Sequence, residues 1–315
     1  MLYFIFTNWR IGVKRSFLSI SDLTKEEVLN VLEYAEELKK DKFKDQTLKN
    51  KSIGLVFMKQ STRTRLSFEV GVYQMGGQPI YIHGSSTQMS RGEDIKDTAR
   101  VLSRYLDGLV IRTYSHSEVE ELDKYSDFPV INALTDYLHP CQILADLQTI
   151  KEKFGKIEGL KLAYIGDGNN MANTWIIAGG LMGLNVSVAS PEGYEPNGKA
   201  VAEGLKLSEE TGANIEIIND PVEAVKDADI LYTDVWVSMG QENDKSKKNV
   251  FDGFAIDKNL LSYANKNAIV MHCLPAHKGE EISEEVFEQF ADVIFEEAEN
   301  RLHAQKSLMS FLFKN

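Results

Sequence analysis

Short aliphatic runs alternate with helix-like stretches along this chain, and midway the alternation starts afresh. In the first half "KSIGLVFM" (51–58), "DGLVIRT" (107–113) and "FPVINA" (128–133) read as strands. In the second, "LKLAYIG" (160–166), "NVSVAS" (185–190), "ANIEII" (213–218), "DILYTD" (229–234), "NAIVMH" (267–272) and "DVIF" (292–295) do the same. Strands separated by helices pair in parallel, through right-handed crossovers. The pattern predicts an α/β protein of two domains, each a mostly parallel sheet flanked by helices and joined by interdomain helices. A length of 315 residues suits two units of roughly 150 residues. The expected division is 1–138, then an interdomain helix at 139–152, then 153–297, with a helix near 298–315 packing back on the first domain.

Local signals refine the pattern. Residues 21–40 carry a capping box, Thr24 with Glu27, ahead of an apolar face of Val28, Val31, Leu32, Ala35 and Leu38. Leu66, Val70 and Tyr73 form a helical stripe that stops at Gly76-Gly77, and 94–105 reads as a further helix. The polar run "GQENDKSKKN" (240–249) lacks apolar periodicity, predicts a loop and reads, with "DVWVSMG", as a closing lid.

The net charge of −12 argues against nucleic acid or an anionic membrane as partner, because phosphate-rich surfaces require clustered Lys and Arg. No apolar run approaches the 18 or so residues of a span. "MLYFIFTNWR" has too short an apolar core for a secretory signal and reads as an extension, so the natural chain is expected to begin near Val13. Two cysteines, Cys141 and Cys273, make no disulfide framework and suit a reducing cytoplasm.

Any bound anion must then meet a local site, and "STRTR" (61–65) offers one. It lies between a strand ending at Met58 and a helix starting near Thr64, where unpaired backbone N–H groups and the helix dipole favour negative charge. Ser61, Thr62 and Thr64 add hydroxyl donors, and Arg63 adds a fork suited to phosphate oxygens. The same residues also read as an ordinary Ser/Thr cap beside two surface arginines. A Walker loop is excluded by the missing Gly-Lys-Ser/Thr ending. Arg112 closes an apolar strand, and "HPCQ" (139–142) opens the interdomain helix with Pro140 suited to its first turn. Ligands of open α/β sheets bind at such strand ends, where a guanidinium and a neutral imidazole can polarise one carbonyl oxygen. Alone, His139 reads equally well as a capping or packed histidine.

Together, "STRTR", "IRT", "HPCQ", "DVWVSMG" and "HCLP" occur in an order that resembles the aspartate/ornithine carbamoyltransferase family over about residues 15–310. "SMG" (238–240) and "HCLP" (272–275) are similar to its ornithine branch; the aspartate branch typically has HPLP, and a putrescine branch would lack SMG. The resemblance implies that 1–138 binds carbamoyl phosphate and 153–297 binds ornithine. By position, it assigns the phosphate to Ser61, Thr62, Arg63 and Thr64, with Gln88 reaching a neighbouring subunit's phosphate. It assigns the carbamoyl end to Arg112, His139 and Gln142, and ornithine to Asn170, Asp234, Ser238 and Met239. Cys273 and Leu274 would lie where the substrates meet, Arg301 would complete the carbamoyl phosphate site, and Arg112, His139 and Cys273 would act on the reacting centre. Arg65 is left as structural.

The implied reaction is direct attack of the neutral δ-amine on the carbamoyl carbon, giving citrulline and phosphate in amino-acid metabolism. Putrescine or another amine is the alternative acceptor. No cofactor is expected, and without HExxH or CxxC spacing no metal. The partners implied are the two small substrates and further copies of the chain, in a homotrimer or a multiple of trimers. Three rivals stand beside this reading. "YIGDGNN" suggests a dinucleotide turn, although the third glycine would fall at Met171. A non-catalytic relative that binds carbamoyl phosphate is the second. Cys273 as a nucleophile, with His272 or His277 as base, is the third.

Overall fold

The computed structural model describes residues 14–88, 91–237 and 247–314. The first domain contains α1 (Lys25–Lys40), β1 (Ser52–Phe57), α2 (Arg63–Gln74), β2 (Gln78–His83), α3 (Ile95–Leu102), β3 (Gly108–Arg112), α4 (His116–Tyr125) and β4 (Val130–Leu134). Helix α5 (Pro140–Phe154) leads out of it. The second domain contains β5 (Lys161–Ile165), α6 (Asn170–Met182), β6 (Asn185–Ala189), α7 (Gly198–Thr211), β7 (Ile215–Ile218), α8 (Pro221–Val225) and β8 (Ile230–Thr233). It continues through α9 (Lys247–Val250), α10 (Lys258–Leu261), β9 (Ile269–His272) and α11 (Glu284–Gln289) to the closing helix α12 (Ala291–Phe313).

Both sheets are parallel throughout, ordered β2-β1-β3-β4 and β7-β6-β5-β8-β9. Side chains alternate across a strand, and both faces of each sheet are covered. In β1, Ile53, Leu55 and Phe57 enter a core that runs through α5 and α12 into the second domain, whereas Val56 enters a smaller core on the opposite face. A third core lies under β8 and β9, around Leu231, Val270 and Phe251. Helix α5 is buried from Pro140 to Ile150, and α12 packs against α1, α2, α5 and β9. Helices enclosed on all sides are apolar nearly all round. The polar residues that α5 and α12 nonetheless carry are therefore informative.

One expectation needs correction, and two features were not foreseen. "DVIF" is the first turn of α12, because Ile294 and Glu297 share the face that packs inward at helical spacing. The segment "QPIYIH" is β2, which the sequence reading passed over; Pro79 lowers a strand signal and is tolerated because β2 is an edge strand. The stripe of Leu66, Val70 and Tyr73 does lie on a helix, but on its solvent side at 51%, 39% and 66% exposure. The buried face of α2 is Thr64, Phe68, Gly71 and Val72.

Candidate active site

In each sheet the chain winds outward in one direction, returns, and continues on the other side of its first strand. The crevice left where the order reverses is where open α/β sheets hold ligands. In the first domain it lies between β1 and β3, and in the second between β5 and β8. One cleft of about 620 Å³ is lined from both. Residues 59–64 follow β1, Arg112 ends β3, residues 167–171 follow β5, and Asp234 with Val235 follows β8.

At the first of these crevices α2 begins. Its first backbone hydrogen bond runs from Leu66 N to Thr62 O, and the Thr62 side chain makes no cap, so the N–H groups of the first turn face the cleft without helical partners. The alternative of an ordinary Ser/Thr cap is thereby set aside. Arg63, Arg112 and Arg301 all line the same cleft. Burial pushes the Arg112 guanidinium down to about 10, and the Arg301 and Arg63 charges push the same way. Its Nε is buried without a partner among the described residues. Arg63 and Arg112 form no ion pair among the described residues, which leaves this side of the cleft cationic. Arg65 points elsewhere, stacked 3.7 Å over the Tyr81 ring and paired with Glu69 at 3.1 Å.

Between the two crevices stands the start of α5. Pro140 occupies the first turn, and His139 precedes it with its backbone N–H bound to Thr174 Oγ1 at 2.9 Å. Burial, reinforced by Arg301 and Arg112, holds the His139 imidazole well below its usual range, so it is neutral. Its Nδ1 is buried with no partner among the described residues. Gln142, one turn on, accepts from Arg301 Nη1 at 2.5 Å, and Arg301 Nη2 donates to Thr64 Oγ1 at 3.0 Å. Arg301 thus bridges α12, α5 and α2. Burial also lowers its pKa from the usual guanidinium value.

The second crevice is anionic and amide-rich. Asn169 caps α6 by accepting from Met171 N and Ala172 N, and donates to Asp234 Oδ2 at 2.9 Å. Asn170 donates to Thr135 O at 2.7 Å, which ties the start of α6 to the end of the first domain. Asp234 Oδ1 accepts from Val235 N at 2.8 Å and from the Cys273 thiol at 3.0 Å. Burial, together with the Asp234 charge, pushes the Cys273 pKa well above the usual thiol range, which keeps it protonated and a poor nucleophile. His272 supplies no base to it. Its Nδ1 accepts from Leu274 N at 2.9 Å, and its Nε2 lies 3.1 Å from Glu281 Oε1. Leu274 adopts φ 59, a left-handed conformation that turns its backbone along the cleft wall.

The turn after β5 is not shaped for a dinucleotide. A Cβ on Gly168 would lie 2.3 Å from the Glu195 carbonyl carbon and the Pro196 nitrogen, so backbone of the 193–196 loop already occupies the approach that a pyrophosphate needs. Gly168 N donates to Tyr194 O at 2.8 Å, and the turn presents Asn169 and Asn170 instead.

Ser61, Thr62, Arg63, Thr64, Arg112, His139, Gln142, Asn170, Asp234, Cys273, Leu274 and Arg301 are brought together in the cleft. Gln88 is exposed and does not line it. Ser238 and Met239 lie outside the described residues, as do 240–246 of the loop and lid expected at 240–249; residues 247–249 are not loop but the start of α9. Sequence reasoning missed Asp167, Asn169, Tyr194 and Glu195 of the cleft wall. It also missed Asp146, Tyr232 and Glu297 beneath the cleft. A signal existed for two of these: Gln142 and Asp146, like Glu297 and Arg301, are polar pairs four residues apart on otherwise buried helices.

Residues 15–152 match the family model described as aspartate/ornithine carbamoyltransferase, carbamoyl-P binding domain, and residues 158–312 match the Asp/Orn binding domain of the same family. The ornithine carbamoyltransferase of Carboxydothermus hydrogenoformans is 52% identical over 302 residues, covering 95% of this chain and 97% of the relative. Among solved structures, ornithine carbamoyltransferase from Pyrococcus furiosus aligns with a TM-score of 0.90 at 46% identity, covering 95% of this chain and 98% of that one. The anabolic ornithine carbamoyltransferase of Campylobacter jejuni aligns with a TM-score of 0.90 at 44% identity, with the same coverage.

Proposed function

The chain belongs to the aspartate/ornithine carbamoyltransferase family, and on that premise we infer that it transfers the carbamoyl group of carbamoyl phosphate to the δ-amine of L-ornithine. The products are L-citrulline and phosphate. One observation carries the reading: a three-arginine anion pocket at one crevice faces an acidic, amide-lined crevice within a single cleft. Residues up to about 138, with α12 folded back on them, hold carbamoyl phosphate, and 153–297 hold ornithine.

Phosphate oxygens meet the first turn of α2, with Ser61, Thr62, Arg63, Thr64 and Arg301 as donors. The carbamoyl oxygen meets Arg112 and His139. Because His139 is neutral, it polarises the carbonyl without adding a fourth positive charge. Gln142 sets Arg301. Asn170 and Asp234, with Ser238 and Met239, hold the α-amino acid end of ornithine. The cation that Asp234 meets is therefore the α-ammonium and not the attacking nitrogen. Desolvation then favours the neutral δ-amine. Its lone pair forms the new C–N bond, charge collects on the carbamoyl oxygen, and the C–O bond to phosphate breaks as that oxygen's electrons return, the departing phosphate taking the proton that the attacking nitrogen sheds. Cys273 and Leu274 line the meeting point. Holding two substrates in contact supplies up to roughly 7–11 kcal/mol in favourable cases. Putrescine is not favoured as acceptor, since it lacks the α-amino acid end.

A homotrimer, or a multiple of trimers, accounts for Gln88, which is exposed outside its own cleft and available to a neighbour's phosphate. The exposed stripe of Leu66, Val70 and Tyr73, with Phe43 against Tyr73, supports a subunit contact there. Two free cysteines suit a cytoplasmic enzyme of arginine biosynthesis. Steady-state kinetics with ornithine, putrescine and aspartate side by side test the reading. Citrulline formation with the highest kcat/KM for ornithine is expected, and a higher value for either competitor would overturn it.

A further inference from the structure

Beneath the cleft lie two fully buried carboxyl groups that the reaction does not use. Asp146 follows Gln142 by one turn of α5, and Glu297 precedes Arg301 by one turn of α12. The four side chains face one another across the interface of these helices. Gln142 Nε2 donates to Asp146 Oδ1 at 2.8 Å and to Glu297 Oε1 at 3.1 Å, which uses both its protons, while its carbonyl accepts from Arg301. Glu297 Oε2 accepts from His272 N at 3.0 Å, one residue before Cys273. The Tyr232 hydroxyl, from β8, stands 2.9 Å from Asp146 Oδ2 and 3.2 Å from Glu297 Oε1.

The donor count fixes the charge of this cluster. Tyr232 has one hydroxyl proton for two carboxyl neighbours. With both carboxyls ionised, one short contact sets oxygen lone pairs against each other in a buried site. A single added proton on Glu297 Oε1 satisfies every atom: Glu297 donates to Tyr232, Tyr232 donates to Asp146, and Gln142 donates to both acids. We propose that Asp146 and Glu297 hold one proton between them and act as positioning residues that lock Gln142 and Arg301 against the cleft. Burial raises both carboxyl groups in the same sense. The remaining ionised carboxylate balances Arg301 without quenching it. Because Glu297 also grips the backbone at His272, the lock ties the carbamoyl phosphate side of the cleft to the strand carrying Cys273. Its kinetic consequences rest on the carbamoyl-transfer reading; its proton does not.

The test compares Glu297→Gln, Glu297→Met and Asp146→Asn in the full chain. A glutamine amide replaces the O–H donor to Tyr232 and keeps the acceptor for His272 N, losing only the acceptor for one Gln142 proton, so Glu297→Gln is expected to stay within about tenfold of wild type in kcat/KM. Glu297→Met fills the volume but removes the hydrogen bonds. It is expected to raise KM for carbamoyl phosphate at least about tenfold and to weaken inorganic phosphate binding in calorimetry by a similar factor, with a smaller change in KM for ornithine. A purely structural role would lower the melting temperature and leave these constants unmoved. The infrared difference between wild type and Glu297→Gln at neutral pH is expected to contain a carboxylic-acid C=O stretch. The proposal is overturned if neither Glu297→Gln nor Asp146→Asn removes such a band, if Glu297→Gln loses more than tenfold, or if Glu297→Met keeps wild-type constants. Should the wild-type chain make no citrulline, the infrared and phosphate-binding results still decide the lock.

Discussion

Replacing Arg112 by methionine should make the ligand-free protein more stable while it removes the activity. The guanidinium is 4% exposed, has no acceptor among the described residues, and shares the cleft with Arg63 and Arg301. Burial and those two charges push its pKa down to about 10. At about 1.36 kcal/mol per pH unit, holding the charged form in the fold costs roughly 3 kcal/mol, an upper bound because methionine packs less well in a polar cleft. Near neutral pH the group is charged in both folded and unfolded chains, so the whole cost is present and methionine removes it. With each kcal/mol worth about 2–4 °C in a domain of this size, the melting temperature should rise by several degrees. The assay is thermal unfolding in a phosphate-free buffer, with and without saturating carbamoyl phosphate. Wild type should gain stability from the ligand and the variant much less, because the ligand is what offsets the arginine charge. In kinetics the loss of a carbonyl-polarising donor should lower kcat about 10²–10³-fold. A ligand-free variant that melts below wild type, yet is stabilised normally by carbamoyl phosphate, would mean that the buried Arg112 charge does not cost the fold stability.

Asp234→Asn should raise KM for ornithine about 10–100-fold, the range of one charge-assisted hydrogen bond, and leave KM for carbamoyl phosphate within about threefold; initial-rate kinetics check both. Cys273→Ser should keep activity within about tenfold, since a protonated thiol held by Asp234 forms no covalent intermediate, and mass spectrometry during turnover should find no adduct. Chains bearing Gln88→Ala and Arg112→Ala, each inactive alone, should regain about a quarter of wild-type activity when mixed equally, because a quarter of sites then combine an intact Arg112 with a neighbour's intact Gln88. The raised carboxyl of Glu297 sets a sign for stability against pH. Its stabilising contribution is complete below the ordinary carboxyl value and is lost as pH rises toward its folded one. Glu297→Gln should therefore gain melting temperature over wild type progressively as pH rises above about 4.5, and calorimetric scans at increasing pH would reveal a flat difference if the proton is absent.

Much of the fold was legible because parallel strands buried on both faces must be dense in aliphatic residues, as in Leu109–Ile111 and Leu162–Ile165. What was misread had weak or competing local signals. Pro79 disguised edge strand β2, and Val293, Ile294 and Phe295 resembled a strand although only Ile294 is buried, on the helix face it shares with Glu297. The apolar stripe of α2 was visible, but its direction was not, because periodicity locates a face without saying what covers it. The motif residues were legible as chemistry: hydroxyls and Arg63 at a helix start, and Arg112 at a strand end.

By itself the sequence determined the α/β class, the two parallel domains and the residue types able to meet an anion and an amine. Only the tertiary structure decided that these residues share one cleft. Residues 61–64 and Asp234 lie some 170 positions apart in sequence. They face each other because each sheet reverses its winding beside its own first strand, and because α5 and α12 hold the two crevices together. The meeting of Asp146, Tyr232 and Glu297 belongs to that level too, although the polar spacing on α5 and α12 hinted at two of them. The three come from α5, β8 and α12, and a proton shared among them exists only once burial has removed water from all three.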